Sequence, residues 1–236
     1  MIYGPGGVGK TSLAALLAKV GIRPRFIDLE QRSGFLDVSR VECDTWEDMR
    51  DELHSPAGDF GAVIVDSGTK AEELATAWTL TNILHEKGYP VTTGINGYGF
   101  GKGLTHVYET FLNLIGDLDT HIRAGRHAVL ICHDCVANVP NPAGEDWKRY
   151  EPRLQSPESG KASIRHRVKE WADHVLFVTY DVAVSKLGKA EGSGSRTIYP
   201  AERATWWAKS TKLVEPIVYE KNDPAVWQQL FAKGNQ

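Results

Sequence analysis

Gly4-Pro5-Gly6-Gly7-Val8-Gly9-Lys10-Thr11 decides the reading of this 236-residue chain. The spacing is G-x-x-x-x-G-K-T, the phosphate-binding P-loop. Ser12 and the apolar run Leu13-Ala14-Ala15-Leu16-Leu17-Ala18 follow at once and read as a helix. Glycines let successive backbone N–H groups turn toward an anion with no Cβ in the way. A helix N-terminus adds partial positive charge. Gly4, Gly6, Gly7, Val8, Gly9, Lys10, Thr11 and Ser12 are therefore the candidate nucleotide-binding residues. Lys10 would reach the β- and γ-phosphates of ATP, and the Thr11 hydroxyl would ligate Mg²⁺. A glycine-rich turn that binds nothing is the competing reading, and the helix behind the loop disfavours it.

Working outward, only Met1-Ile2-Tyr3 precede the loop, against roughly 5–6 residues for an ordinary strand. Either the first strand is short or the natural start lies upstream. Residues 25–29 read as a second strand ending at Glu30, and residues 41–43 as a short third. Thr45 fits an N-cap, with Asp48 three residues on and a helix toward His54. Gly61-Ala62-Val63-Ile64-Val65 is an apolar, β-branched run of the kind buried on both faces of a parallel sheet, closed by Asp66-Ser67. A helix follows over about 70–87. Residues 94–103 hold five glycines and read as a mobile loop. Val107, Phe111, Leu114, Ile115 and Leu118 mark the next helix. His127-Ala128-Val129-Leu130-Ile131-Cys132 is another buried strand, ending at His133. Residues 134–162 read as an overlong loop of the functional or disordered kind. Residues 174–184 predict a long strand, 186–195 a flexible hairpin tip and 196–199 its return. Further strands are predicted at 205–208 and 217–219. The whole reads as one α/β domain, a mainly parallel sheet flanked by helices (core about 1–184) with an antiparallel extension over about 185–236.

Composition is that of a globular chain, 42% hydrophobic and 24% charged, with a formal net charge of −3. Overall charge thus does not announce a nucleic-acid binder. Its distribution is uneven: residues 28–73 hold thirteen acidic and four basic side chains, and residues 185–212 six basic and two acidic. That asymmetry permits a basic DNA-facing edge, head-to-tail subunit contact, or two differently solvated faces. Three cysteines and no recognisable leader point to a reducing, cytoplasmic compartment. No stretch approaches the ~18 apolar residues of a membrane span.

Three more features fall at strand ends, where open α/β sheets bind ligands. Asp66 ends its strand as a metal-holding acid would, with Thr11 as a second oxygen. Glu30 ends what is expected to be the strand beside the P-loop strand, where a carboxylate can polarise the attacking water. A solvated acid at a strand exit fits equally well, and Asp28 could take the role instead. His133 could hydrogen-bond the γ-phosphate and report hydrolysis to the adjoining loop; a packing histidine is the plain alternative. Cys132-His133-Asp134-Cys135 raises zinc, which a fourth ligand would have to complete.

FIDLE after the P-loop helix, then VIVDS and VLICHD, resembles the RecA-like branch of P-loop ATPases. The closer likeness is to phage-borne RecA-core ATPases of the AAA-annotated kind, among them single-strand annealing proteins of the Sak type. The resemblance implies Glu30 as catalytic base, Asp66 as the metal-holding acid and His133 as a polar sensor, with Lys10 acting on the phosphates. It also implies basic residues that reach a neighbouring subunit's nucleotide. Lys209 matches the first; Thr211 stands at the second, with Lys212 as a replacement. A homo-oligomer follows from that. The family's DNA-contacting loops would correspond to about 95–105 and 134–162. The second carries Trp147, Lys148, Arg149, Tyr150 and Arg153, aromatics and cations of the kind that hold single-stranded DNA. Glu145, Asp146 and Glu151 nearly neutralise that loop.

The leading expectation is a Mg²⁺-dependent ATPase that binds single-stranded DNA and assists annealing or recombination, in a bacterial host's cytoplasm if phage-encoded. The alternatives are a small-molecule kinase using Arg165-His166-Arg167 as a lid, or an interaction module that binds nucleotide without turnover. A partition-type switch ATPase would need a lysine where Pro5 stands.

Overall fold

A computed structural model describes residues 1–55, 58–184 and 190–231. The elements run β1 (Ile2–Gly4), α1 (Lys10–Ala15), β2 (Pro24–Asp28), β3 (Ser39–Glu42), α2 (Trp46–His54), β4 (Ala62–Asp66) and α3 (Gly68–Asn82). Then come α4 (Lys102–Arg123), β5 (His127–Val139), β6 (Trp147–Pro152), α5 (Ile164–Trp171), β7 (Leu176–Val184), β8 (Ala190–Tyr199), β9 (Ile217–Val218) and α6 (Ala225–Phe231). The sheet order is β3-β2-β4-β5-β1-β7-β8-β9, with β6 paired to β5. From β3 to β7 every pairing is parallel; β8 and β9 add antiparallel.

Strand alternation divides the core in two. Tyr3, Ile27, Val63, Val65, Leu130, Cys132 and Phe177 face the side covered by α2, α3, α4 and α5. Ile2, Phe26, Ile64, Ile131, Leu176 and Val178 face the side covered by α1 and α6. Both faces are buried, which is why the strands read as unbroken apolar runs. The stripe Val107, Phe111, Leu114, Leu118 of α4 seats that helix on the sheet.

Several expectations need correction. β2 is not beside β1: β4 and β5 lie between them. Helix α3 begins at Gly68 and ends at Asn82, short of the expected 87. Residues 94–103 are not a mobile loop. They hold a 3₁₀ turn, Ile95–Tyr98, and the first turn of α4. Tyr98 is buried and its hydroxyl donates to Thr79 O at 3.0 Å and Ile83 O at 2.6 Å. A Cβ at Gly103 would stand 2.1 Å from Ile95 O, so close packing demands that glycine. Part of the 134–162 stretch is a β-hairpin. β5 runs on through Val139 and turns back as β6. Helix α5 contains Arg165-His166-Arg167, and α6 is a further helix. Residues 205–208 form no strand, only isolated bridges from Trp206 to Tyr150 and to Arg203. The expected hairpin tip at 186–195 lies partly outside the described residues, and its return begins at Ala190. Among the described residues no helix is long and apolar enough to cross a membrane.

Tyr98→Phe tests the packing of the 95–98 turn. Loss of its hydrogen bonds should cost about 1 kcal/mol, a drop of roughly 2–4 °C in Tm. An unchanged Tm would return this segment to a loosely attached loop.

Candidate active site

Register brings four strand ends to one rim. Asp28 pairs with Asp66, Asp66 with Ile131, and Gly4 with His133. The P-loop leaves β1 at that rim and enters α1. Gly7 and Gly9 adopt φ of 78° and 99°, and a Cβ at Gly4 would stand 1.9 Å from Val178 O. Gly9 is the N-cap of α1, and its carbonyl accepts from Leu13 N–H at 2.8 Å. Val8 is buried; Gly6 and Gly7 are exposed. Thr11 and Ser12 follow Lys10 in the first turn, both half-buried.

Lys10 is folded onto its own loop. Its Nζ donates to Gly4 O at 2.7 Å and Pro5 O at 2.9 Å. Burial pushes its pKa down, opposed chiefly by Asp66. Thr11 Oγ1 donates to Asp66 Oδ2 at 2.6 Å. Burial raises the Asp66 carboxyl to about 6; Thr11 opposes this, and the Glu30 and Asp28 charges add to it.

Glu30 lies just past β2, yet its side chain reaches across β4 to β5. Its Oε1 meets His133 Nε2 at 2.8 Å and accepts from Ser67 Oγ at 2.5 Å. These contacts, the histidine's foremost, hold the carboxyl at about 2. Asp28 cannot replace it. It is buried, and its oxygens accept from the N–H groups of Glu30, Arg32 and Ser33 and from the Ser33 hydroxyl. Asp28 thus shapes the loop that carries Glu30.

Two hydroxyls of the first turn of α3 complete the network, and sequence reasoning missed both as positioning groups. Ser67 caps α3 by accepting from Lys70 N–H at 3.1 Å while donating to Glu30. A serine standing between the apolar strand and the helix carries the signal for that cap. Thr69 Oγ1 accepts from His133 N–H at 3.0 Å and donates to Arg153 O at 3.3 Å. No local pattern marks Thr69.

Lys10, Thr11, Asp66, Glu30 and His133 therefore converge, while the remaining candidates lie elsewhere. Lys209 Nζ donates to the carbonyls of Lys169, Glu170 and Ala172 at the C-terminal end of α5. Lys212 Nζ donates to Leu230 O in α6 at 2.8 Å. Both lysines meet carbonyls near helix ends of their own chain, where the negative end of the helix dipole favours a cation. Cys132 and Cys135 stand an odd number apart on β5 and face opposite sides, so they cannot share one ion. Among the described residues no three acidic, histidine or cysteine side chains gather as a metal cage. On the hairpin, Lys148 and Arg153 are exposed and Tyr150 is 43% exposed. Trp147 donates its indole N–H to Ala204 O at 2.8 Å. Arg149 pairs with Glu151, one of the acids expected to neutralise this stretch, and with Glu202.

The pKa shifts have opposite consequences. Glu30, held low, contributes stability that is present above pH 4.5 and is lost as pH falls toward 2. Asp66, held high, costs stability above pH 6 that is relieved on acidification toward 4. Asp66→Asn should therefore raise the metal-free stability at pH 7 by on the order of 2 kcal/mol, seen as a higher Tm, and flatten the pH 4–6 segment. A lower Tm at pH 7 would contradict a carboxylate strained by burial.

No curated protein matches the chain. A family model described as "AAA domain" matches residues 1–211. That span includes the P-loop, β4, β5, β7 and β8. With its P-loop NTPase fold and a site of this composition, the chain belongs to that AAA domain family of nucleotide-dependent ATPases.

Proposed function

We propose that the chain is a Mg²⁺-dependent ATP hydrolase whose nucleotide state is passed to the β5–β6 hairpin. The observation that carries this is the Glu30–His133 contact of 2.8 Å, because His133 sits on the strand that becomes the hairpin. Arg153, at the hairpin's far end, donates its N–H to His133 O at 2.8 Å.

The donor set fits a hard divalent cation: an alcohol and a carboxylate in contact, with no sulfur among them. Thr11 and Asp66 would hold Mg²⁺, which neutralises charge on the phosphate oxygens. Lys10 would exchange the Gly4 and Pro5 carbonyls for phosphate oxygens. The loop N–H groups would stabilise the transferring phosphoryl group. Glu30 would accept a hydrogen bond from the attacking water. Held as a carboxylate by His133 and Ser67, it would orient and polarise that water. Once the γ-phosphate leaves, His133 would lose one partner and keep Glu30, altering the tension on β5.

The finer reading is that the hairpin holds single-stranded DNA through Lys148, Tyr150 and Arg153, as in the phage RecA-core annealing ATPases the sequence resembles. A small-molecule kinase fits less well. An apolar cavity of about 360 Å³ opens at the N-terminal ends of β1, β5 and β7, away from the P-loop. Arg165, a lid residue in that reading, is bound by Glu151 and the Leu154 carbonyl.

Phosphate release from ATP and Mg²⁺, with and without single-stranded DNA, tests both levels. Lys10→Ala should lower turnover at least about tenfold, the loss of a charge-assisted contact. Glu30→Gln should bind ATP normally and hydrolyse it roughly 10²–10⁴-fold more slowly. Full turnover in either variant would contradict the hydrolase. DNA should stimulate the wild type, and Lys148→Ala with Arg153→Ala should lose that stimulation. Equal rates with and without DNA would remove the DNA assignment and leave the ATPase standing.

A further inference from the structure

The backbone of the P-loop is gripped from outside by the antiparallel extension. Tyr180 of β7 donates its hydroxyl to Gly7 O at 2.9 Å. Arg196 of β8 donates from Nη1 to Val8 O at 3.0 Å. Tyr219, just past β9, donates its hydroxyl to Gly9 O at 3.0 Å. Three successive carbonyls thus meet three donors, two on strands and one just past a third. The donors form one row: Tyr180 pairs in register with Arg196, and Tyr219 N–H donates to Arg196 O at 2.7 Å. The Arg196 guanidinium also lies over the Tyr219 ring, 4.4 Å from its centroid.

A trans peptide unit points its N–H opposite to its C=O. Donors that draw the carbonyls of Gly7, Val8 and Gly9 to one side therefore aim the N–H groups of Val8, Gly9 and Lys10 to the other. The Val8 N–H closes a long turn bond on Pro5 O at 3.4 Å; the other two open α1. The grip also accounts for Gly9. A Cβ there would stand 2.8 Å from Arg196 Nη1 and 3.0 Å from the Tyr219 hydroxyl oxygen. Tyr219 lies beyond the span that the family model matches.

We propose that Tyr180, Arg196 and Tyr219 are positioning residues that hold the P-loop in its phosphate-receiving shape, making the C-terminal extension part of the nucleotide site. This rests on the nucleotide-binding reading of the P-loop and adds to it residues that touch no substrate. The linkage is reciprocal: bound nucleotide should tighten the extension as the extension tightens the loop.

The test is the affinity for a non-hydrolysable ATP analogue with Mg²⁺, measured by calorimetry on the full chain. Wild type, Tyr219→Phe, Tyr180→Phe and Arg196→Lys are compared. Tyr219→Phe keeps the ring over Arg196 and removes only the hydroxyl. Tyr180 is 40% exposed, so Tyr180→Phe spares the fold. Each Phe variant should bind about three- to tenfold more weakly, the worth of one hydrogen bond. In turnover the loss should fall on KM more than on kcat. In the wild type the analogue should slow hydrogen exchange at the Tyr219 amide. Phe variants that bind as the wild type does, or an exchange rate at Tyr219 that ignores nucleotide, would overturn the proposal. A wild type that binds no analogue would overturn instead the nucleotide reading beneath it.

Discussion

Parallel register across β2, β4, β5 and β1 governs everything at the P-loop rim. Strands in fixed register end level, and a one-residue slip would turn every side chain to the opposite face. With Asp28 opposite Asp66 and Gly4 opposite His133, one end of the sheet delivers the acids, the histidine and the loop together. The two buried faces lock that register, since a slip would exchange the sets led by Ile2 and Tyr3. Position in the site is therefore a consequence of core packing. Glu30 reaches the centre although two strands separate β2 from β1, because its side chain crosses the end of β4 to meet Ser67 and His133.

The charges at the rim are unequal in kind. Glu30 is stabilised as an anion by a histidine and a hydroxyl, at about 2. Asp66 is destabilised as an anion by burial, at about 6. An acid that is costly to ionise without a cation gains most when a cation arrives, so in the proposed reading a metal ion on Asp66 would offset the cost of its burial. Lys10, meanwhile, rests on two loop carbonyls that a phosphate can replace. Thr11, Asp66, Glu30 and His133 are fixed by contacts to one another, and fixed polar groups are the ones that act effectively on a developing charge.

Much of this was legible in the sequence. The P-loop spacing named its residues, and apolar runs closed by Asp66 and His133 marked β4 and β5. Fully buried strands advertise themselves in this way. What the sequence hid is non-local. Strand order is not written in any short segment, so Glu30 was expected on a neighbour of β1. Tyr98 orders a glycine-rich stretch through bonds to α3 residue Thr79 and to Ile83, which local composition does not reveal. β6 reads WKRYEP, with charge interrupting its alternation, and α5 and α6 are too short to establish a period. Lys209 matched the first basic position of a motif in spacing, but no short segment shows that its ammonium, like that of Lys212, rests on carbonyls near a helix end of the same chain.

One structure would decide most directly whether this rim is a hydrolytic site: the chain crystallised with Mg²⁺ and a non-hydrolysable ATP analogue. The account predicts the γ-phosphate against Lys10 Nζ, the cation on Thr11 and Asp66, and a water held by Glu30 in line with the terminal phosphorus. A Glu30 side chain turned away from the phosphate, with the water absent or held by some other group, would contradict it.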